Sequence, residues 1–209
     1  MQKTAPTPSQ GVVSRTGPRR SESIRLAVIN AADDLLVERG FTALTIESIA
    51  GRAGVAKQTI YRWWKSKVDI LVEALDDDAR DALRWEPGTG DARQDLEAHL
   101  LRVAAFLEEP AGRVLHALLS HAQLDAEEAE RFGQGFLAAQ RERDVEGLRE
   151  ILYCDLGHRV DRVTAERFLD VLFGPLHYRR LTFRESADVE LVRATVRLVH
   201  ELAVESARP

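Results

Sequence analysis

A chain of 209 residues, 44% hydrophobic and 30% charged, carries enough apolar material for one or two globular domains. No apolar run approaches the roughly 18 residues that a bilayer-spanning helix needs. The opening MQKTAPTPSQGVVS lacks the apolar block of a secretory signal, and the single cysteine, Cys154, excludes an intramolecular disulfide, so the expectation is a soluble, cytoplasmic protein with no membrane partner. The net charge of -5 conceals a division: residues 1–70 hold 11 Lys/Arg against 6 Asp/Glu and include all four lysines, whereas 71–209 hold 18 Arg against 28 acids. That split implies a basic module for a polyanion joined to an acidic body with another task.

Residues 1–20 are rich in Pro, Thr, Ser and Gly and carry four cations and no acid, which predicts a disordered basic arm. A helix is predicted over 22–39, capped by Ser21 or Ser23, striped with Ile24, Ala27, Val28, Ala31, Leu35 and Leu36, and stopped by Gly40. Thr45 can cap a second helix that runs to Gly54. A short third helix spans Lys57 to Trp64, and Ser66 with Asp69 resembles a capping box opening a fourth, to about Arg84. WEPGTG (85–90) reads as a loop, after which Asp91 and Gln94 start a helix that ends at Pro110. Further helices are predicted over 112–123, 126–156 (with Gly133, Gly135 and Gly147 as breaks or close-packing points), 164–183 with Pro175 inside, and 187–206. No segment alternates with the period of a strand. The fold class is all-α, about nine helices, divided into the arm (1–20), a three-helix helix-turn-helix domain (21–67) and a helical body (68–209).

On a helical wheel Lys57, Gln58, Tyr61 and Arg62 fall on one arc, and Thr59, Ile60, Trp63 and Trp64 on the opposite one. Lys and Arg suit guanine edges, Gln suits adenine, and Tyr suits a thymine methyl or a phosphate. Residues 39–67 hold six Lys/Arg against Glu47 alone, the excess that phosphate neutralisation requires. Two helices joined at a glycine turn, the second presenting donors, describe a DNA-binding helix-turn-helix.

The stretch GFTALTIESIAGRAGVAKQTIYRWWKSKVDIL, through Gly40-Phe41, Thr45, Ile49-Ala50, Gly54-Val55, Thr59-Ile60-Tyr61, Trp64 and Lys67, resembles the N-terminal domain of the tetracycline-repressor (TetR) family. The later FGPLHYRRL (173–181) resembles a signature of one C-terminal branch. The resemblance implies that Thr45 caps its helix and donates to a phosphate, that Lys57, Gln58 and Tyr61 face bases, and that Thr59 and Lys67 hold the DNA backbone. Two positions depart from the pattern. Ala56 stands where many members have Ser or Thr, and Trp63 where many have His, so Trp63 has two readings: an indole N–H to phosphate, or packing. The resemblance also implies a small-molecule effector bound by the C-terminal helices and a homodimer formed through the last two helices. The final helix agrees, since Val189, Leu191, Val192, Val196, Leu198, Val199 and Leu202 spread too widely for one buried face.

Pro175 should disturb the 164–183 helix and open space beside it, with Phe168, Phe173 and His177 near the wall and Phe106 or His116 opposite. His99, His121, Tyr178 and Cys154 are further polar residues within apolar stretches. Cys154 and His158 have a helical ligand spacing, but Gly157 interrupts it and no metal site is expected. Neither a nucleophile–base pair nor a phosphate loop is visible, so no enzyme and no cofactor are expected. The expected function is a homodimeric repressor released from a double-stranded, pseudo-palindromic operator by a small hydrophobic ligand. The rival is a DNA-binding regulator without a ligand, controlled by a partner protein.

Overall fold

The computed structural model describes residues 18–206; the predicted arm falls outside them except for a helical turn at 18–20. No strand occurs among the described residues. Helix α1 (Pro18–Ala43) begins before Ser21 and Ser23, so neither serine caps it. Its regular part stops at Gly40, whose φ of 76° and ψ of 168° leave helical space where a side chain would be strained. Helix α2 (Ile46–Ala53) starts on a reciprocal capping box between Thr45 and Ser48, and ends at Gly54 in the left-handed region. Helix α3 (Lys57–Tyr61) is followed by α4 (Lys67–Ala82), which opens on the Ser66–Asp69 capping box.

The body contains α5 (Ala92–Glu108), α6 (Pro110–Ala122), α7 (Ala126–Phe132), α8 (Ala138–Leu156), α9 (Arg162–Tyr178) and α10 (Val189–Ser206). Two π-helical turns interrupt it. Gly133–Leu137 joins α7 to α8, and Arg179–Phe183 continues α9, which passes through Pro175 without ending. A π turn carries one extra residue per turn and re-aims the side chains that follow.

Helix α1 packs on α2, α4 and α6, while α10 lies against α5 and α9. The loop after α4 is less passive than WEPGTG suggested. The indole of Trp85 lies over Gly147 of α8, where any Cβ would collide with the ring. Its Nε1 donates to Asp144 (2.9 Å), and the ring stacks on His99 of α5 with centroids 3.7 Å apart. One aromatic side chain therefore clamps α5 to α8.

The α1/α4 joint contains a destabilising acid. Asp33 is half-buried, and its Oδ1 has no hydrogen-bond partner. Burial, then the charges of Asp78 and Asp34, raise its pKa to about 6. A carboxyl with a folded pKa above its unfolded value of 3.8 takes up protons on folding. Its cost is thus absent below about pH 4 and grows as pH rises to 6. Asp33→Asn is expected to stabilise the protein by about 1–2 kcal/mol at pH 7, after allowance for solvent screening, and by nothing near pH 3.5. Urea midpoints at the two pH values check this; an equal gain at both would refer the effect to something other than ionisation.

Candidate DNA-binding surface and effector cavity

The geometry of the head follows from one buried residue and one buried indole. Ile60 is fully buried and Trp64 nearly so. The Trp64 Nε1 donates to Glu73 of α4 (2.6 Å), and the other Glu73 oxygen takes Arg25 of α1 at 2.7 Å. This pull on Trp64 explains why α3 is shorter than predicted: it ends at Tyr61, and the amides of Trp63 and Trp64 both donate to the Ile60 carbonyl in a turn. The opposite arc faces outward. Lys57, Gln58, Tyr61 and Arg62 are exposed, Tyr61 by 54%, which is high for an aromatic residue in a small folded head. Thr59 and Trp63 are half-buried at the boundary, and Arg62 lies 5.2 Å from the Trp63 ring. Trp63 also meets the Trp64 ring edge-on, with centroids 5.4 Å apart.

Lys57 reaches back to Glu47 of α2 at 2.9 Å. The hydrogen bond holds Glu47 below the usual carboxylate range and raises Lys57. Both partners are solvated, so this ion pair can open when a phosphate or base competes. Ala56 supplies no side-chain cap to α3, as its methyl group dictates. The Thr45 hydroxyl oxygen accepts the Ser48 amide at 3.1 Å, the capping role expected of it.

Lys67 has partners within the DNA-free chain. Its ammonium donates to the carbonyls of Phe41 (2.8 Å) and Leu44 (3.0 Å) and sits 4.1 Å from the Phe41 ring centroid. Those carbonyls lie in the link between α1 and α2, which the break at Gly40 leaves short of intrahelical donors. In the DNA-free chain the residue is a fastener of the head. The Phe41 ring also meets His121 at the end of α6, ring centroids 4.4 Å apart, so head, α4 and α6 converge on one side chain.

Behind the head, α5, α6, α8 and α9 enclose a cavity of about 700 Å³, within the range of small-molecule sites. Phe106, Phe173 and His177 are in its wall, as expected. Two expected residues are not. Phe168 is buried in the core to one side, and His116 stands one step back, its Nε2 3.1 Å from His177 Nδ1. Helical periodicity places Phe168 on the inner side of α9 but cannot say which inner residues face packed neighbours and which face space. Burial, His177 and Arg180 lower the His116 pKa to about 4, and burial lowers that of His177, so the pair is neutral at pH 7. Tyr178 is exposed outside the cavity, and Cys154 lies against Gly88.

The sequence reading missed Phe136, Gln140 and Asp144. Phe136, in the first π turn, lines the main cavity and also a second cleft of about 500 Å³, whose wall includes Trp63, Trp64 and Val68. Gln140 and Asp144 lie one turn apart on α8. The Gln140 amide donates to Asp144 (2.8 Å) while its oxygen accepts Arg143 at 2.7 Å. Gly133 and Gly135 marked this region, but no local pattern says that the intervening aromatic divides two spaces.

A tri-helical head with a solvent-facing recognition helix, set on a helical body with its own cavity, defines the helix-turn-helix class of DNA-binding transcriptional regulators. Residues 28–74 match the profile of the bacterial regulatory proteins of the tetR family, and residues 86–199 match that of the tetracyclin repressor-like C-terminal domain. The HTH-type transcriptional regulator YdeS of Bacillus subtilis is 34% identical over 183 residues, covering 88% of this chain and 91% of YdeS. The DNA-binding transcriptional repressor TetR of Mycobacteroides abscessus is 35% identical over 81 residues, 38% of this chain and 42% of that protein. The crystal structure of the TetR family transcription regulator SCO0332 superposes with a TM-score of 0.68 at 33% identity, covering 86% of this chain and 97% of that one.

The chain belongs to the tetracycline-repressor family, whose members are DNA-binding transcription factors and not enzymes. No described helix is long and apolar enough to cross a membrane.

Proposed function

We propose that the protein is a homodimeric repressor, released from a pseudo-palindromic operator when a small hydrophobic molecule fills the cavity. In this reading residues 21–67 read DNA, with Lys57, Gln58, Tyr61 and Arg62 toward the bases and Thr45, Thr59 and Trp63 toward the backbone, while 68–209 pair and respond. The observation that carries the reading is Phe136, whose side chain borders both the cavity and the cleft behind Trp63 and Trp64. A ligand pressing on Phe136 alters the packing under the recognition helix. Such a ligand acts only through its differential affinity for the DNA-free form, and a hundredfold loss of operator affinity takes about 2.7 kcal/mol. The cavity favours a ligand over control by a partner protein. Dimerisation is supported by Tyr178, Leu181 and Phe183 at the end of α9 and Leu198 and Leu202 of α10, all exposed in the single chain. One short recognition helix also spans too few base pairs for useful selectivity alone.

The test combines sedimentation of the free protein with a thermal-shift screen of small hydrophobic compounds. Two-chain mass is expected, and a compound that stabilises the wild type should release operator. Phe173→Trp, which fills the cavity, should bind operator normally and ignore that compound. A monomer at micromolar concentration would remove the dimer, and an unchanged response in Phe173→Trp would move the effector site elsewhere.

A further inference from the structure

The wall of the cavity is apolar except for a few groups, and their unmet hydrogen-bonding capacity specifies what fits. On the α5/α8 side, His99 is 1% exposed and its Nε2 has no hydrogen-bond partner. Its other nitrogen is occupied, with the Arg102 guanidinium 3.4 Å from Nδ1. Asp144, joined to the same Trp85 that stacks on His99, receives both Trp85 Nε1 and Gln140 Nε2 on a single oxygen, Oδ1. A buried ring nitrogen without a partner, beside a carboxylate on the same wall, is costly unless a third group supplies its bond.

Charge narrows the class. Burial first, then Arg102, holds the His99 pKa at about 3, so it offers no cation to an anionic ligand. Arg141, the one guanidinium in the wall, is committed at the rim to Asp170 (2.8 Å) and to the Glu166 carbonyl (3.0 Å). The Asp144 carboxyl is pushed up by burial, and Arg143 and Arg141 already compensate part of its charge, so the site makes a poor counter-ion for an ammonium. What remains is a neutral group able both to donate and to accept, carried on an apolar frame flat enough to lie among Phe106, Phe136 and Phe173.

We propose that the cavity takes an uncharged aromatic compound carrying a hydroxyl group, a phenol, whose hydroxyl meets His99 Nε2 and the Asp144 carboxyl. The inference rests on the reading of this cavity as the effector site and adds the chemistry of the effector. Four probes of matched shape separate the alternatives: 4-hydroxybiphenyl, biphenyl, biphenyl-4-carboxylate and biphenyl-4-methylammonium. Calorimetric titration of the full chain should give 4-hydroxybiphenyl an affinity at least about tenfold above biphenyl, with both ions weaker than biphenyl. His99→Phe keeps a ring on Trp85 and removes Nε2, and Asp144→Asn removes the ionisable carboxyl. Each should erase most of the advantage of the hydroxyl over biphenyl, and thermal melts report separately that the variant is folded. Equal binding of the phenol and biphenyl by the wild type, or tightest binding of either ion, would overturn the phenol assignment. If biphenyl still releases operator in that case, the effector-cavity reading survives. Binding of none of the four to the wild type would overturn both.

Discussion

Gly112→Ala is expected to be the most damaging single-methyl change in the body, costing about 3 kcal/mol and lowering the melting temperature by roughly 6–12 °C. Helices α5 and α6 turn on each other within two residues at Glu109–Pro110, and Gly112 is in the first turn of α6. A Cβ there would collide with the Phe106 carbonyl oxygen and lie 2.5 Å from Leu107 Cα and 2.7 Å from Leu107 C. All three obstacles are backbone, so no rotamer change relieves them and the corner itself must open. The helical preference of Ala over Gly, about 1 kcal/mol, is too small to offset this. Gly133→Ala is the matched control, because a Cβ at Gly133 meets nothing within 4 Å. Thermal melts of the two variants should differ in sign or nearly so; a fall below about 2 °C for Gly112→Ala would mean that the corner widens freely.

Lys67→Met should cost about 2 kcal/mol of stability and weaken operator binding without changing its salt dependence. The substitution keeps an unbranched apolar stem but withdraws two charge-assisted bonds from the carbonyls of Phe41 and Leu44 and the ammonium from the Phe41 ring. The carbonyls lose their donor just where the chain passes from α1 to α2, so the orientation of the recognition helix loosens with them. A phosphate contact has a different signature: its removal flattens the slope of log affinity against log salt by about one and leaves the free protein as stable as before. Urea unfolding and operator titration over a salt series distinguish the two. Unchanged stability with a reduced slope would return Lys67 to the DNA backbone.

What the sequence made legible was what neighbouring residues decide among themselves. Thr45, Gly54, Ser66 and Asp91 act on amides or carbonyls within four residues, and helix ends there agree with the caps. The two arcs of α3 were legible for the same reason, since a helix fixes the angle between residues one turn apart. Helical periodicity, with no segment alternating at the period of a strand, extended this to the all-α architecture. The π turns were not legible, because inserting one residue into a helix leaves no local mark beyond permissive glycines at 133 and 135. The cavity was only half legible. His116 with His177 and Trp85 with Asp144 are pairs separated by 61 and 59 residues, and periodicity carries no information about which distant faces meet. The intrachain contacts of Lys67 were hidden for that reason too. A lysine beside a recognition helix suits phosphate, and only the fold reveals two carbonyls 26 and 23 residues upstream within its reach.

The placement of the lysines has a practical consequence. All four precede residue 70, and every cation of the acidic body is a guanidinium, which amine acylation does not touch. Within the described residues a mild acylating reagent therefore finds three ammonium groups, all on or beside the DNA-facing head. Lys65 is exposed, Lys57 is held in its protonated, unreactive form by Glu47, and Lys67 is lodged on two carbonyls. Mass-spectrometric rates of acylation at these positions, with and without operator, become a footprint of DNA occupancy in which Lys67 is an internal clock for opening of the head.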